Sequence, residues 1–283
     1  MTMVLRIFDV EHGACTMLAG PNDAIAMIDC GHNSTTGWRP SVFLRNRIGR
    51  SYLDYLLITN ADQDHLSDLS TLVGSGITVR NLLTNTQVTP LALRWIKERS
   101  GPVTSDAEAL LQMRSTFGPP GSGSPIDQAL GGVTVRAFNH SFPTFSNTND
   151  LSCAFFISFG PFKILFPGDL EKLGWRAHLQ NPAFIAELRA TTILVASHHG
   201  RESGFCEEVF EFLQPQAVVM SDKSIVHGTQ EMVPQYRSKV CGDGIRLTNE
   251  RERRHVLTSR CDGDIIFQVK EDGNYWVTTA IQG

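Results

Sequence analysis

The sequence predicts an α/β protein built as a four-layer αββα sandwich, two mixed β-sheets packed face to face with helices on both outer sides. Three observations predict it. Short apolar or alternating segments open the chain in hairpin order, helical periodicity follows, and the same order of events repeats in the second half.

Taken in order, VLRIFDV (4–10), ACTMLAG (14–20), AIAMIDC (24–30) and YLLIT (55–59) read as strands, with PND turning between the second and third. Helical spacing appears over 39–48, 67–73, 90–99 and 105–117, and GPPGSGSP (118–125) breaks it as a flexible loop. VTVRAFN (133–139), LSCAFFISF (151–159), FKILFPG (162–168) and TTILVAS (191–197) form the second set, the last two separated by a helix over 170–188. A helix over 205–213, a strand AVVMSD (217–222) and the hairpin DIIFQVKEDGNYWVTTA, turned at DGN, complete the chain. In each half one apolar strand ends in an acid beside glycine and the next in a polar loop: IDCG then TNADQDH, PGD then SHHG. No linker separates the halves, so residues 1–283 read as one domain; a separately folding 205–283 is the alternative.

Composition bounds the function. With 283 residues and 41% hydrophobic content, the chain can bury a sizeable core. A formal charge of -4 and a pI of about 6.1 give no global pull towards nucleic acid, so a polyanionic substrate needs a local basic patch or bound metal. No apolar run approaches the roughly 18 residues of a membrane span, and MTMVLRIFDV reads as a strand rather than a signal peptide. The expectation is a soluble, cytoplasmic protein with no membrane partner. Its six cysteines are scattered without CxxC pairs, and Cys15, Cys30 and Cys153 lie in apolar segments as small hydrophobes.

The chemistry concentrates at strand ends. Asp62, Asp64 and Asp68 crowd one loop after YLLI, and clustered carboxylates must be neutralised by cations, hydrogen-bonded or solvated. Read alone, Asn60, Asp62 and Asp64 cap a helix beginning near His65, with Asp68 exposed. An EF-hand is excluded, because its sixth-position glycine and twelfth-position glutamate are missing. Asp169, His198, His199 and His227 also follow apolar strands. Singly they read as a helix cap, satisfied loop histidines and a turn residue. Four loops that deliver Asp and His to one sheet edge have the composition of an oxygen-plus-nitrogen metal site.

The ordered set IDCG, TNADQDH, FPGDLE, SHHG and SDKSIVHG resembles the metallo-β-lactamase superfamily, and most of all the branch represented by the hydrolase domain of the DNA-uptake protein ComEC. FDVEHGACTML is similar to that branch's first hairpin, and NTNDLSCAFF to its NDxS element, which places Asn149, Asp150 and Ser152 near the third motif. The HxHxDH signature falls on Asn60, Asp62, Asp64 and His65, so the first histidine is replaced by Asn60 and the second by Asp62. Asp169 matches the bridging aspartate, His227 the terminal histidine, and His140 is a further candidate upstream. The resemblance implies metal ligands Asp62, Asp64, His65, Asp169 and His227, with Asp64, His198 and His199 catalytic. It implies one or two divalent ions, Mn²⁺ or Zn²⁺ with Mg²⁺ as an alternative, the second position being oxygen-rich and poorly supplied. The implied activity is metal-dependent hydrolysis by activated water, of the phosphodiesterase or nuclease type acting on DNA or RNA. RERRH (251–255), Arg246, Arg260, Arg201 and Lys223 are the local cations available to a phosphate. Two other readings stay open: a metal-poor binding or regulatory module with a protein partner, and a hydrolase of a cyclic nucleotide, lactone or thioester.

Overall fold

The computed structural model describes residues 1–117, 129–248 and 250–281, so the 118–125 loop lies outside the described residues. Strand pairing starts from a run that is apolar on both faces. Ile25–Ile28 is buried throughout: Ala26 and Ile28 face a core between two sheets, while Ile25 and Met27 face helices. That two-sided burial is why AIAMI is continuously apolar instead of alternating.

The first sheet runs in the order Tyr275–Ala280, Asp264–Lys270, Thr2–Ile7, Thr16–Ala19, Ile25–Ile28, Tyr55–Leu57, Leu82–Leu83. Its pairings are antiparallel up to Ile25–Ile28 and parallel beyond. The second sheet runs Val256–Thr258, Ala217–Met220, Ile193–Val195, Phe162–Phe166, Ala154–Phe159, Thr134–Phe138, and its first three pairings are parallel. Each sheet thus joins an antiparallel meander to a parallel half, the repeat of order read in the sequence. The end of the chain pairs with its beginning in register, Thr2 opposite Lys270 and Ile7 opposite Ile265.

Three apolar layers separate the four structural layers. Leu5, Ile7, Phe155, Ile157 and Ile164 fill the space between the sheets. Met17, Leu56, Leu69, Leu93 and Leu110 pack the first sheet against Leu69–Gly74, Pro90–Ser100 and Ser105–Thr116. Leu165, Trp175, Phe184 and Leu194 do the same for the second sheet and its helices. Cys15, Cys30 and Cys153 are buried free thiols within this framework.

Local differences from the sequence reading have physical causes. The helix expected over 170–188 is two, Lys172–His178 and Pro182–Arg189, because the Asn181 side chain caps Ala183 N and Pro182 starts a new helix. The segment 205–213 forms only a 3₁₀ turn, Glu207–Glu211. Val256–Thr258, to which the sequence reading gave no element, is an edge strand; three residues beside RERRH are too few to show periodicity. Asp68, expected in solvent, is fully buried, accepting hydrogen bonds from Arg39 Nη1 at 2.8 Å and Ser41 N at 2.8 Å.

Candidate metal centre

Parallel strands in both sheets end at one edge, and their C-terminal loops carry the polar residues, as expected of ligand-binding edges in α/β sheets. Asp29 follows Ile25–Ile28 and adopts φ 58°, a left-handed conformation that aspartate tolerates better than most residues. Its Oδ1 accepts from Thr59 N at 2.7 Å and its Oδ2 from Thr59 Oγ1 at 2.6 Å. Beside it, Gly31 has no room for a side chain, since a Cβ would stand 2.5 Å from Asp64 O. The glycine of IDCG therefore lets the TNADQDH loop close on the first hairpin.

Asp64, His65, Asp169 and His199 converge, with one ligand atom of each within 4.8 Å of all the others. His65 Nε2 lies 3.1 Å from Asp169 Oδ1, and its Nδ1 lies 2.9 Å from Asp29 Oδ2 and 3.1 Å from Thr59 Oγ1. An Nδ1–H donated to Asp29 leaves Nε2 as a lone-pair donor, the carboxylate–histidine arrangement that orients metal-binding imidazoles. His199 is built the same way with a different partner. Its Nδ1 donates to Ser221 O at 3.0 Å, and its Nε2 lies 3.1 Å from Asp64 Oδ2 and 3.5 Å from Asp169 Oδ1. The Nε2 contact with Asp64 is close enough for an ion pair but misdirected for a hydrogen bond, so this buried atom has no hydrogen-bond partner.

Backbone strain accompanies the group. His198 and His199 have φ of 51° and 55°, followed by Gly200 at 75°. Left-handed histidines cost on the order of 1–3 kcal/mol each. Bonds from His198 N to Gly168 O and from Arg201 N to His198 O hold the turn. Asp169 is set by Ser152 Oγ, which accepts from its backbone N–H at 3.0 Å. Gly168 keeps the approach open, because a Cβ there would stand 2.9 Å from the same hydroxyl.

The electrostatics are those of an acid pair in need of positive charge. Burial alone raises both carboxyls, yet the His199 contact and the His65 charge bring Asp64 down to about 2. Asp169 is lowered further, by His65 and His199 against the same burial cost. Burial alone would depress the imidazoles, but Asp169 and Asp29 raise His65, and Asp169 and Asp64 raise His199. Two imidazole nitrogens and two carboxylate oxygens, one nitrogen without a hydrogen-bond partner, fit a divalent cation.

Not every expected residue joins this group. Asp62 is held elsewhere: its Oδ1 accepts from Lys97 Nζ at 2.7 Å and its Oδ2 from Thr148 Oγ1 at 2.8 Å. His227, expected as the terminal ligand, is exposed and caps the turn Gly228–Gln230 instead. Asn60 Oδ1 accepts from Asp62 N, and Asp150 Oδ1 accepts from Glu171 N and Gly174 N, so Asp150 braces the Asp169 loop. His140 Nε2 donates to Gly174 O at 2.9 Å and stacks on His178, outside the group. His198 stands at its edge, Nδ1 3.0 Å from Ser203 Oγ and 3.4 Å from Glu171 Oε1. Thr59 and Ser221 were not singled out from the sequence, and Asp29 stood there only as the strand-ending acid of IDCG, with no role assigned.

No protein-family profile matches the chain, and no curated protein does. Among solved structures it is similar to YhfI of Bacillus subtilis, a metallo-β-lactamase fold protein, at 12% identity over 94% of this chain and 99% of that one, TM-score 0.50. The chain has the metallo-β-lactamase fold. Weaker likenesses run to CmlA, a diiron β-hydroxylase from Streptomyces venezuelae (16% identity, 89% of this chain and 53% of that one, TM-score 0.45), and to a diphosphatase of the PhnP family (11%, 95% and 99%, TM-score 0.40). At such identities a metallo-β-lactamase fold speaks to architecture alone. No helix among the described residues is long and apolar enough to cross a membrane.

Proposed function

We propose that the protein is a metal-dependent hydrolase that cleaves phosphodiesters, DNA or RNA being the substrate class, with one divalent ion held by Asp64, His65, Asp169 and His199. The observation that carries this reading is the convergence of those four side chains, three of them buried, within 4.8 Å. Their mixed nitrogen and oxygen donors suit Zn²⁺ or Mn²⁺ better than Mg²⁺. When bound, such a cation polarises a phosphoryl oxygen and brings the pKa of a water down to roughly 7. Asp64 has 30% of its side chain exposed, the most open of the four, and orients the attacking water. His198, its Nδ1 engaged by Ser203, carries the proton for the leaving oxygen on its other nitrogen. A phosphodiester is favoured by the TNADQDH and SHHG resemblance and by Arg201, a cation three residues from His198 whose field reaches that ring.

A binding module without turnover is the second reading, favoured by the engagement of Asp62 with Lys97 and of Asn60 with its own loop, which takes both away from a second ion position. Chelator-stripped protein titrated separately with Mn²⁺, Zn²⁺ and Mg²⁺ against labelled single- and double-stranded DNA and RNA decides between them. Ion-dependent cutting that disappears in Asp169→Ala is expected. Tight ion binding without cutting of any nucleic acid would move the protein to the second reading or to small-molecule hydrolysis.

A further inference from the structure

Two further buried nitrogens beside the four-residue group have no hydrogen-bond partner among the described residues: His12 Nδ1 and Arg201 Nε. A buried donor or acceptor left unpaired costs about 1–3 kcal/mol, and folded proteins keep few of them. They come from two separate segments of the chain. His12 belongs to the turn of the first hairpin, which is bound to the site at three points. Ala14 N donates to Asp64 O at 3.2 Å, Gly31 N donates to Ala14 O at 2.9 Å, and Ser221 Oγ donates to Gly13 O at 2.6 Å. The His12 ring consequently lies against the His199 ring, centroids 4.5 Å apart. Arg201 is set by the left-handed His198–Gly200 turn, and its charge acts on both His12 and His198. No ion pair of Arg201 is found among the described residues, although the neighbouring His198 lies 3.4 Å from Glu171 Oε1 and His199 lies 3.1 Å from Asp64 Oδ2.

His12 stands outside the set of atoms that could share one ion. An imidazole and a guanidinium with unpartnered nitrogens next to an acidic group have the chemistry of an oxyanion pocket, in which charge-assisted hydrogen bonds are the strong ones. We propose that His12 and Arg201 together receive a non-bridging phosphoryl oxygen of the substrate beside the candidate ion. They would be substrate-binding residues rather than ligands. This rests on the phosphodiester reading given above. The spacing of FDVEHGACTML and SHHGR along the chain gives no hint of the pair, which exists because the first hairpin folds over the end of the second sheet.

The test is binding, not turnover. The protein would be loaded with Co²⁺, whose visible absorption reports its ligands, and titrated with inorganic phosphate for wild type, His12→Ala, His12→Gln, Arg201→Met and Arg201→Lys. The expected result is unchanged Co²⁺ affinity in all variants, with phosphate binding weakened about ten-fold or more in His12→Ala and Arg201→Met. Glutamine at 12 and lysine at 201, each carrying a donor, should recover part of the loss. Phosphate affinity unchanged by either truncation overturns the proposal, and so does Co²⁺ affinity that falls in parallel with it. Acetate serves as a second probe. If wild type binds acetate and not phosphate, the phosphodiester reading fails and the same variants score the pocket on a carboxylate; if it binds neither, both fail.

Discussion

Two histidine pairs in this protein, buried except for the half-buried His140, have opposite surroundings. His65 and His199, ring centroids 5.2 Å apart, are wrapped by Asp29, Asp64 and Asp169. His140 and His178, stacked at 3.7 Å, are wrapped by Phe145 and Phe184, with centroids 4.4 and 4.6 Å away. Burial pushes all four imidazoles towards the neutral form. In the first pair the carboxylates outweigh it and both are raised. In the second nothing does, and His178 falls to about 3 with His140 lowered as well. A histidine after an apolar strand or within an amphipathic helix is the same residue in sequence; neighbours from distant segments decide whether it becomes an acid-paired imidazole or an aromatic packing group.

The largest way to break this comparison is to remove the carboxylate that both site imidazoles share. Asp169→Ala should lower divalent ion affinity more than about 100-fold, beyond what outer-shell changes cost, with far-UV circular dichroism unchanged; calorimetry showing tight binding would take Asp169 out of the site. Asp29→Asn comes next. It leaves the four-residue group intact but weakens the anchor on His65 Nδ1, and roughly a 10–100-fold loss of ion affinity is expected.

The aromatic pair answers to pH. With a folded pKa of about 3 against an ordinary 6.5, His178 binds its proton in the unfolded chain first, so the stability it contributes is present above pH 6.5 and is lost as pH falls towards 3. At about 1.4 kcal/mol per unit, His178 alone should cost about 2 kcal/mol by pH 5. Urea unfolding of His178→Phe at pH 7.5 and 5 should show that loss removed; an acid limb as steep as wild type would assign it to other groups. The smallest effect is expected at Asn60. This side chain is turned to Asp62 N, so Asn60→His should change ion affinity by no more than about two-fold and leave one ion per chain, measured by elemental analysis. A second ion in that variant would restore the second position.

The strands were legible where both faces or one face repeat: Ile25–Ile28, Phe162–Phe166 and the terminal hairpin all sit where apolar runs place them. Asp64, His65, Asp169 and His199 could be nominated from the same logic, since each follows such a strand. Asp62 and His227 were nominated on equal grounds and went elsewhere. Asp62 met Lys97, carried on a helix 35 residues downstream, and no feature of TNADQDH encodes that meeting. Asp68 met Arg39 in the same way and left the surface.

By itself, then, the sequence determined the longer strands, though not short ones such as Leu82–Leu83 and Val256–Thr258, that they are buried on one or both faces, and which edge of the sheets collects acids and imidazoles. Those properties follow from local periodicity and from the requirement that polar groups leave the core at strand ends. Only the tertiary structure decided which carboxylates are neutralised by lysine or arginine and which converge with imidazoles, and which histidines face acid and which face phenyl rings. Charge pairing falls off within a few ångströms, and separations of that size between segments far apart in the chain are set by packing.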